Sequence, residues 1–256
     1  TAVAPSVDSL LSIGRAYGET TAEEEAWSAA ELGRISTQVR DAIARRRDVA
    51  AAIALNETVF GTLGFVREVE QTDLRFVLLP AVLRSRRGSC VGLGALYLGL
   101  AQSLKIPMEG VMRPGHFYVR VREADRHRNI ELLRQGEEMP DSWYETRFPA
   151  PSGANEYGRG LSPSEVLGVV EYDIGNERRR QGRIAEARRA YDRAVHHFAD
   201  FAEAHASLGT ALHLLGALNE AEASYEAARR INPHLAGLDK NIELLQQERA
   251  GDARAP

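Results

Sequence analysis

The chain has a single cysteine, Cys90, among 256 residues, so it can form no internal disulfide and no cysteine cluster for zinc. Its seven histidines show no HExxH spacing, and neither a metal nor a cofactor is expected. Positive charge is not in excess. The 32 Lys and Arg stand against 36 Asp and Glu, giving a net charge of -4 and a pI near 6.0, which argues against nucleic acid or an anionic membrane as a partner. Long apolar runs are missing as well. The longest, Cys90 to Ala101, falls short of the roughly 20 residues that cross a bilayer, so no membrane span is expected. Within it, "GLGALYLG" has neither a GxGxxG nor a GxxxxGK[ST] register, which removes a nucleotide loop.

What is present is ordinary for a globular chain: 44% hydrophobic and 27% charged residues, enough for one large domain or two modest ones. Thr1 as the first residue fits two readings. It is either the stub left by signal-peptide cleavage, placing the chain in the periplasm or outside the cell, or a boundary in a cytoplasmic protein.

Thr21 and Glu24 stand in capping-box register, and Leu32, Ile35, Val39 and Ile43 follow at three- and four-residue steps, which predicts an amphipathic helix. A second helix is expected with Val49, Ile53, Val59, Phe60 and Leu63 on one face and Gly64 as its stop. The tract from Cys90 to Lys105 is too long and too apolar for a strand and reads as a helix. Its Gly92, Gly94 and Gly99 each cost about 1 kcal/mol of helix propensity relative to Ala, which points to close packing of another backbone. "MEGVM" and "HFYVRV" read as strands, the second alternating His116, Tyr118 and Arg120 against Phe117, Val119 and Val121. "NIELL", from Asn129, is the next strand candidate. The Pro- and Gly-rich segment from Pro149 to Gly160 marks a boundary. Helices are expected beyond it, starting with Ser162 as N-cap, Pro163 at the first helical position and Glu165 three residues after the cap.

This last part contains a repeat. Ile174-Gly175, Gly182, Ala187, Tyr191 and Ala194 recur 34 residues later as Leu208-Gly209, Gly216, Ala221, Tyr225 and Ala228, with Pro233 closing the second unit. The spacing and residue types resemble the tetratricopeptide repeat, with the tract from Leu235 as a polar-faced capping helix. Two units are fewer than the three usually needed for independent stability, so they are expected to lean on the preceding domain.

A lone cysteine is more often an inert core residue than a nucleophile. Three features weigh the other way. "RRGSC" puts Cys90 at a helix start, where free N–H groups and the macrodipole stabilise a thiolate and are expected to depress its pKa. His116 follows Pro114-Gly115 at the head of a strand, a rigid mount for a general base. Asn129 and Glu131 share one face of the following strand, and either is placed to orient the imidazole. The order Cys, His, then acid or amide is that of papain-like hydrolases. Arg86 and Arg87 read as solvated surface, with support of a thiolate as the alternative. Trp143, Tyr144 and Phe148 read as core aromatics, with a substrate groove as the alternative. His196, His197, His205 and His213 fall on repeat helices as surface or packing residues.

"RRGSCVGLGALYLGLAQSLKIPMEGV" with "PGHFYV" and the upstream "NETVFGTLGF" resembles the transglutaminase-like superfamily, in particular its bacterial SirB-type branch, in which such a domain precedes tetratricopeptide repeats. The resemblance implies an α+β fold: a transglutaminase-like domain of helices and a small antiparallel sheet over residues 1–150, then an all-α domain of two repeats and a capping helix over 161–250. It also implies a Cys-His-Asp triad, carried here by Cys90 and His116. The chain departs from the pattern at the third position, where Glu131 falls in place of Asp and Asn129 remains open. Two functions follow. One is a cysteine-dependent amide-bond hydrolase or acyltransferase with a thioester on Cys90, the repeats docking a protein or peptide substrate or partner. The alternative is a catalytically silent scaffold acting as a protein-interaction module. The Cys90 N–H is the one oxyanion donor the sequence names.

Overall fold

The capping box at Thr21 forms as its spacing predicts: the Thr21 N–H donates to Glu24 Oε2 at 2.9 Å and the Glu24 N–H to Thr21 Oγ1 at 3.2 Å. A computed structural model describes residues 6–45, 50–68 and 73–252. After α1 (Val7–Ser12) and a 3-10 turn, this box opens the long helix α2 (Ala22–Arg45), whose Leu32, Ile35 and Val39 are buried. The next helix is shorter than its periodicity predicts. α3 covers only Ala51–Asn56 and widens into a π-helical turn at Glu57–Thr62, so Ile53 faces solvent, while Val49 lies outside the described residues. Gly64, at φ 68°, ends the tract as expected.

Two very short strands, β1 (Val66–Arg67) and β2 (Arg87–Gly88), pair in parallel around α4 (Leu79–Ser85). They fix the approach to α5 (Cys90–Leu104), an apolar helix buried along most of its length. Two of its glycines explain themselves. A Cβ on Gly92 would lie 2.1 Å from the Phe76 carbonyl oxygen, and one on Gly94 would lie 2.4 Å from the Phe117 ring. The helix is pressed against the chain at one point and the sheet at the other.

That sheet contains β3 (Met108–Arg113), β4 (His116–Arg122), β5 (His127–Glu131), β6 (Glu137–Met139) and β7 (Gly160–Leu161) in the antiparallel order β6-β5-β4-β3-β7. β5 ends earlier than "NIELL" implies: Leu132–Arg134 form a 3-10 turn because the Glu131 side chain accepts the Leu133 N–H. β4 is buried on both faces. Phe117, Val119 and Val121 meet α5, and the opposite face packs under α6 (Asp141–Arg147). The Pro- and Gly-rich segment is no free tether, since Tyr157 is buried and Gly160–Leu161 return to pair with β3.

Beyond Leu161 the chain is helical. α7 (Pro163–Arg180) starts with the Ser162–Glu165 capping box and pairs with α8 (Ile184–His197); α9 (Ala202–Leu214) pairs with α10 (Leu218–Ile231), and α11 (Leu238–Asp252) follows. Each repeat seats its tyrosine on its own glycine: a Cβ on Gly175 would be 2.5 Å from the Tyr191 ring, and one on Gly209 2.6 Å from Tyr225. Tyr191 also joins the apolar cluster that includes Leu208 of the second unit.

The main core does not stop at the boundary. It runs from α1 and α2 through α5 and the sheet into Val166, Val169, Ile174, Phe198 and Phe201. Buried polar contacts reinforce it: Arg178 pairs with Glu19, and Tyr17 donates to Glu171, which also pairs with Arg193. The repeats therefore dock on the first region. Among the described residues no helix is long and apolar enough to cross a membrane.

Candidate active site

Ser89 positions the cysteine. Its N–H donates to the Phe76 carbonyl at 2.8 Å, and its Oγ accepts the Gly92 N–H at 3.2 Å, so α5 is capped one residue before Cys90. The Phe117 N–H on β4, the strand that carries His116, favours the thiolate form of Cys90. His116 begins β4 after a two-residue turn in which Pro114 supplies the fixed φ and Gly115, at φ 67°, the left-handed one.

The imidazole is held from two sides. Its Nε2 lies 2.7 Å from Glu131 Oε2, and its plane stacks on Phe148 at 4.1 Å and 6°. Glu131 is only 1% exposed, and its other oxygen accepts the Leu133 N–H at 2.9 Å, so neither carboxylate oxygen is idle. Nδ1 has no hydrogen-bond partner among the described residues. Cys90 and His116, 2% and 5% exposed, line one cavity of about 240 Å³. No hydrogen bond joins the sulfur to the ring among the described residues.

The thiol is not acidic. Burial pushes the Cys90 pKa up to about 12, and the Asp173 carboxyl adds to the rise, against the smaller opposing effects of the Phe117 and Val91 N–H groups. The sequence predicts depression by the helix N-terminus. Desolvation outweighs it here because the sulfur has almost no water contact and faces a carboxyl rather than a cation.

Asn129 stands on the Glu131 face of β5 but does not reach His116. Its Oδ1 accepts from Arg120 Nε at 2.7 Å and its Nδ2 donates to Asp141 at 2.8 Å, so its amide is committed one strand position away. Arg86 and Arg87 are also engaged elsewhere: Arg86 donates to the Leu63 carbonyl at 2.6 Å and Arg87 pairs with Glu68 at 2.5 Å. Tyr144 stacks on Tyr118 at 3.7 Å. Trp143 and Phe148 line a second cavity of about 310 Å³ on the Glu131 side of the imidazole, together with Arg67, Arg134 and Arg147. The repeat histidines meet surface partners, such as His205 with the Ala199 carbonyl and His213 with Glu248.

The cavity's far wall belongs to the repeats, a feature the sequence reading missed. Val169, Tyr172, Asp173 and Asn176 of α7, with Phe201 and Glu203, face Cys90 and His116 across it. One signal was available: "VVEYDIG" places Glu171 and Asp173 inside an otherwise apolar helical stretch.

A transglutaminase-like superfamily profile matches residues 26–164, more than half of the 256-residue chain. The chain belongs to the transglutaminase-like superfamily. A tetratricopeptide-repeat profile matches residues 172–236, covering the two helical pairs. The chain is also similar to UPF0162 protein PA3419 of Pseudomonas aeruginosa, at 45% identity over 51 residues, which is 20% of this chain and 19% of that protein's length. This transglutaminase-like member thus carries its candidate site against a helical repeat.

Proposed function

We propose that the protein is a cysteine-dependent amide-bond hydrolase or acyltransferase of the SirB-type branch, with Cys90 as nucleophile, His116 as general base and Glu131 as the group that orients it. In this reading residues 1–150 carry the chemistry and residues 161–250 dock a protein or peptide substrate. The observation that supports it most is the His116 Nε2 to Glu131 contact of 2.7 Å in a cavity shared with Cys90, with Nδ1 unbonded among the described residues.

Because the resting thiol is protonated, attack and proton transfer go together. The Cys90 proton passes to His116 Nδ1 as the sulfur bonds to the carbonyl carbon, and Glu131 supports the cationic ring. The Cys90 N–H at the helix start faces the developing oxyanion. The leaving amine takes the proton from Nδ1 as the C–N bond breaks, giving a thioester. Water or an amine, deprotonated by the same nitrogen, then releases the acyl group and restores the thiol.

A test uses p-nitrophenyl acetate as acyl donor and intact-mass measurement. One acetyl group removable by hydroxylamine is expected on the native protein, none on Cys90→Ala, and much slower acetylation on His116→Ala. Equal rates with and without the imidazole would overturn the reading. The silent scaffold is favoured by a different observation, the raised thiol pKa without a sulfur–imidazole hydrogen bond. It predicts no acylation at Cys90 at all.

A further inference from the structure

The wall that the repeats contribute to the Cys90 cavity is acidic and incompletely satisfied. Asp173, half-buried on this wall, makes no hydrogen bond or ion pair among the described residues. Glu203 receives the Tyr157 hydroxyl on one oxygen, and its other oxygen is buried without a partner among the described residues. Tyr172 and Asn176 lie beside them, while Arg113 on the opposite side spends its Nε on the Phe148 carbonyl at 3.0 Å. A buried carboxyl without a partner costs stability unless something else supplies the missing charge or donors. An unpartnered, half-buried carboxyl and a half-satisfied one, in a cavity that also holds a thiol and an imidazole, mark a place for a cation.

We propose that Asp173 and Glu203, one from each repeat, make the repeats part of the substrate site, selecting an acyl donor that carries a positively charged group close to the carbonyl attacked by Cys90. The proposal rests on the catalytic reading for the word substrate, whereas the charge preference of the cavity is independent of catalysis. It also gives the docking of the repeats a purpose: α7 brings Asp173 to a cavity that the first region alone leaves open. Burial holds the Asp173 carboxyl up at about 7, and a cation beside it favours its ionised form.

The sole cysteine supplies the readout. At pH 8, three methanethiosulfonates that differ in charge react with the full chain: the trimethylammonium-ethyl, methyl and sulfonatoethyl reagents. Each forms a disulfide with Cys90 and releases methanesulfinate. After normalising each rate to a free thiol, the cationic reagent is expected to exceed the anionic one by about tenfold or more, an attraction of roughly 1.4 kcal/mol per decade. Asp173→Asn should remove most of that ratio and Glu203→Gln part of it, with the neutral reagent little affected by Glu203→Gln. Far-ultraviolet circular dichroism and thermal unfolding check that both variants fold. A ratio near one in the wild type, or one unchanged in Asp173→Asn, overturns the proposal. Catalytic failure is seen separately, in the acetylation experiment, and a charge preference without acylation would leave a cation-binding scaffold.

Discussion

Glu131 holds His116 by one carboxylate oxygen at 2.7 Å and the Leu133 N–H by the other at 2.9 Å, so a single buried side chain both orients the imidazole and turns the chain out of β5. Glutamate's extra methylene relative to aspartate is used by this double attachment at the strand end.

Removing that side chain leaves a buried imidazole nitrogen and a backbone N–H without partners. Glu131→Ala is therefore expected to lower stability by about 3 kcal/mol or more, the range seen when one member of a buried pair is deleted. Glu131→Gln keeps an acceptor and should cost markedly less. Urea unfolding of the two variants checks the order; equal losses would mean that volume, and not hydrogen bonding, is what Glu131 contributes.

The repeat tyrosines give a second prediction. Because a Cβ on Gly175 or Gly209 would lie 2.5 or 2.6 Å from the tyrosine ring, Gly175→Ala and Gly209→Ala should each cost about 1–3 kcal/mol through overpacking. Gly182 has open space but φ 74°, so Gly182→Ala should cost only about 1–2 kcal/mol, from backbone strain alone. Differential scanning calorimetry resolves these as shifts in Tm.

These elements show where the sequence is readable and where it stops. α5, β3, β4 and the helical pairs were legible because their apolar spacing and glycine placement are local properties. β1, β2 and β7 were not, since two-residue strands carry no period and exist only because a partner strand is nearby. The choice between Glu131 and Asn129 stayed open for a related reason. Both share a face of β5, and only the positions of Arg120 and Asp141 show which one is already committed. Asp173 was hidden because repeat spacing identifies packing positions and says nothing about what the outward side chains meet.

Asp173 also sets a pH dependence. Its pKa is raised by burial to about 7, well above the ~3.9 of an unfolded aspartate, so the protonated form is favoured by folding. Stability from this group is fully present below about pH 4 and is lost as pH rises through 7, to a limit of ~4 kcal/mol. Asp173→Asn should therefore match the wild type near pH 4 and exceed it at pH 8. Urea midpoints at the two values measure this, and a variant less stable than wild type at pH 8 would show that Asp173 has a native partner.

The thiol carries the last prediction. A sulfur that is 2% exposed with a pKa near 12 presents roughly 10³-fold fewer thiolates at pH 7.5 than a free cysteine near 8.5, a deficit only partly offset by the greater nucleophilicity of a basic thiolate. Iodoacetamide should accordingly alkylate native Cys90 at least about tenfold more slowly than an exposed control thiol. The rate should climb through pH 10 without a plateau. His116→Ala should change this resting reaction little, because the sulfur donates no hydrogen bond to the ring before substrate arrives. Asp173→Asn should speed it by removing the neighbouring negative charge that disfavours the thiolate. Mass-spectrometric labelling over a pH series measures all three proteins. Fast alkylation near pH 6–7 that collapses in His116→Ala would instead identify a resting thiolate–imidazolium pair, and the proton transfer assigned to substrate attack would already have taken place in the free protein.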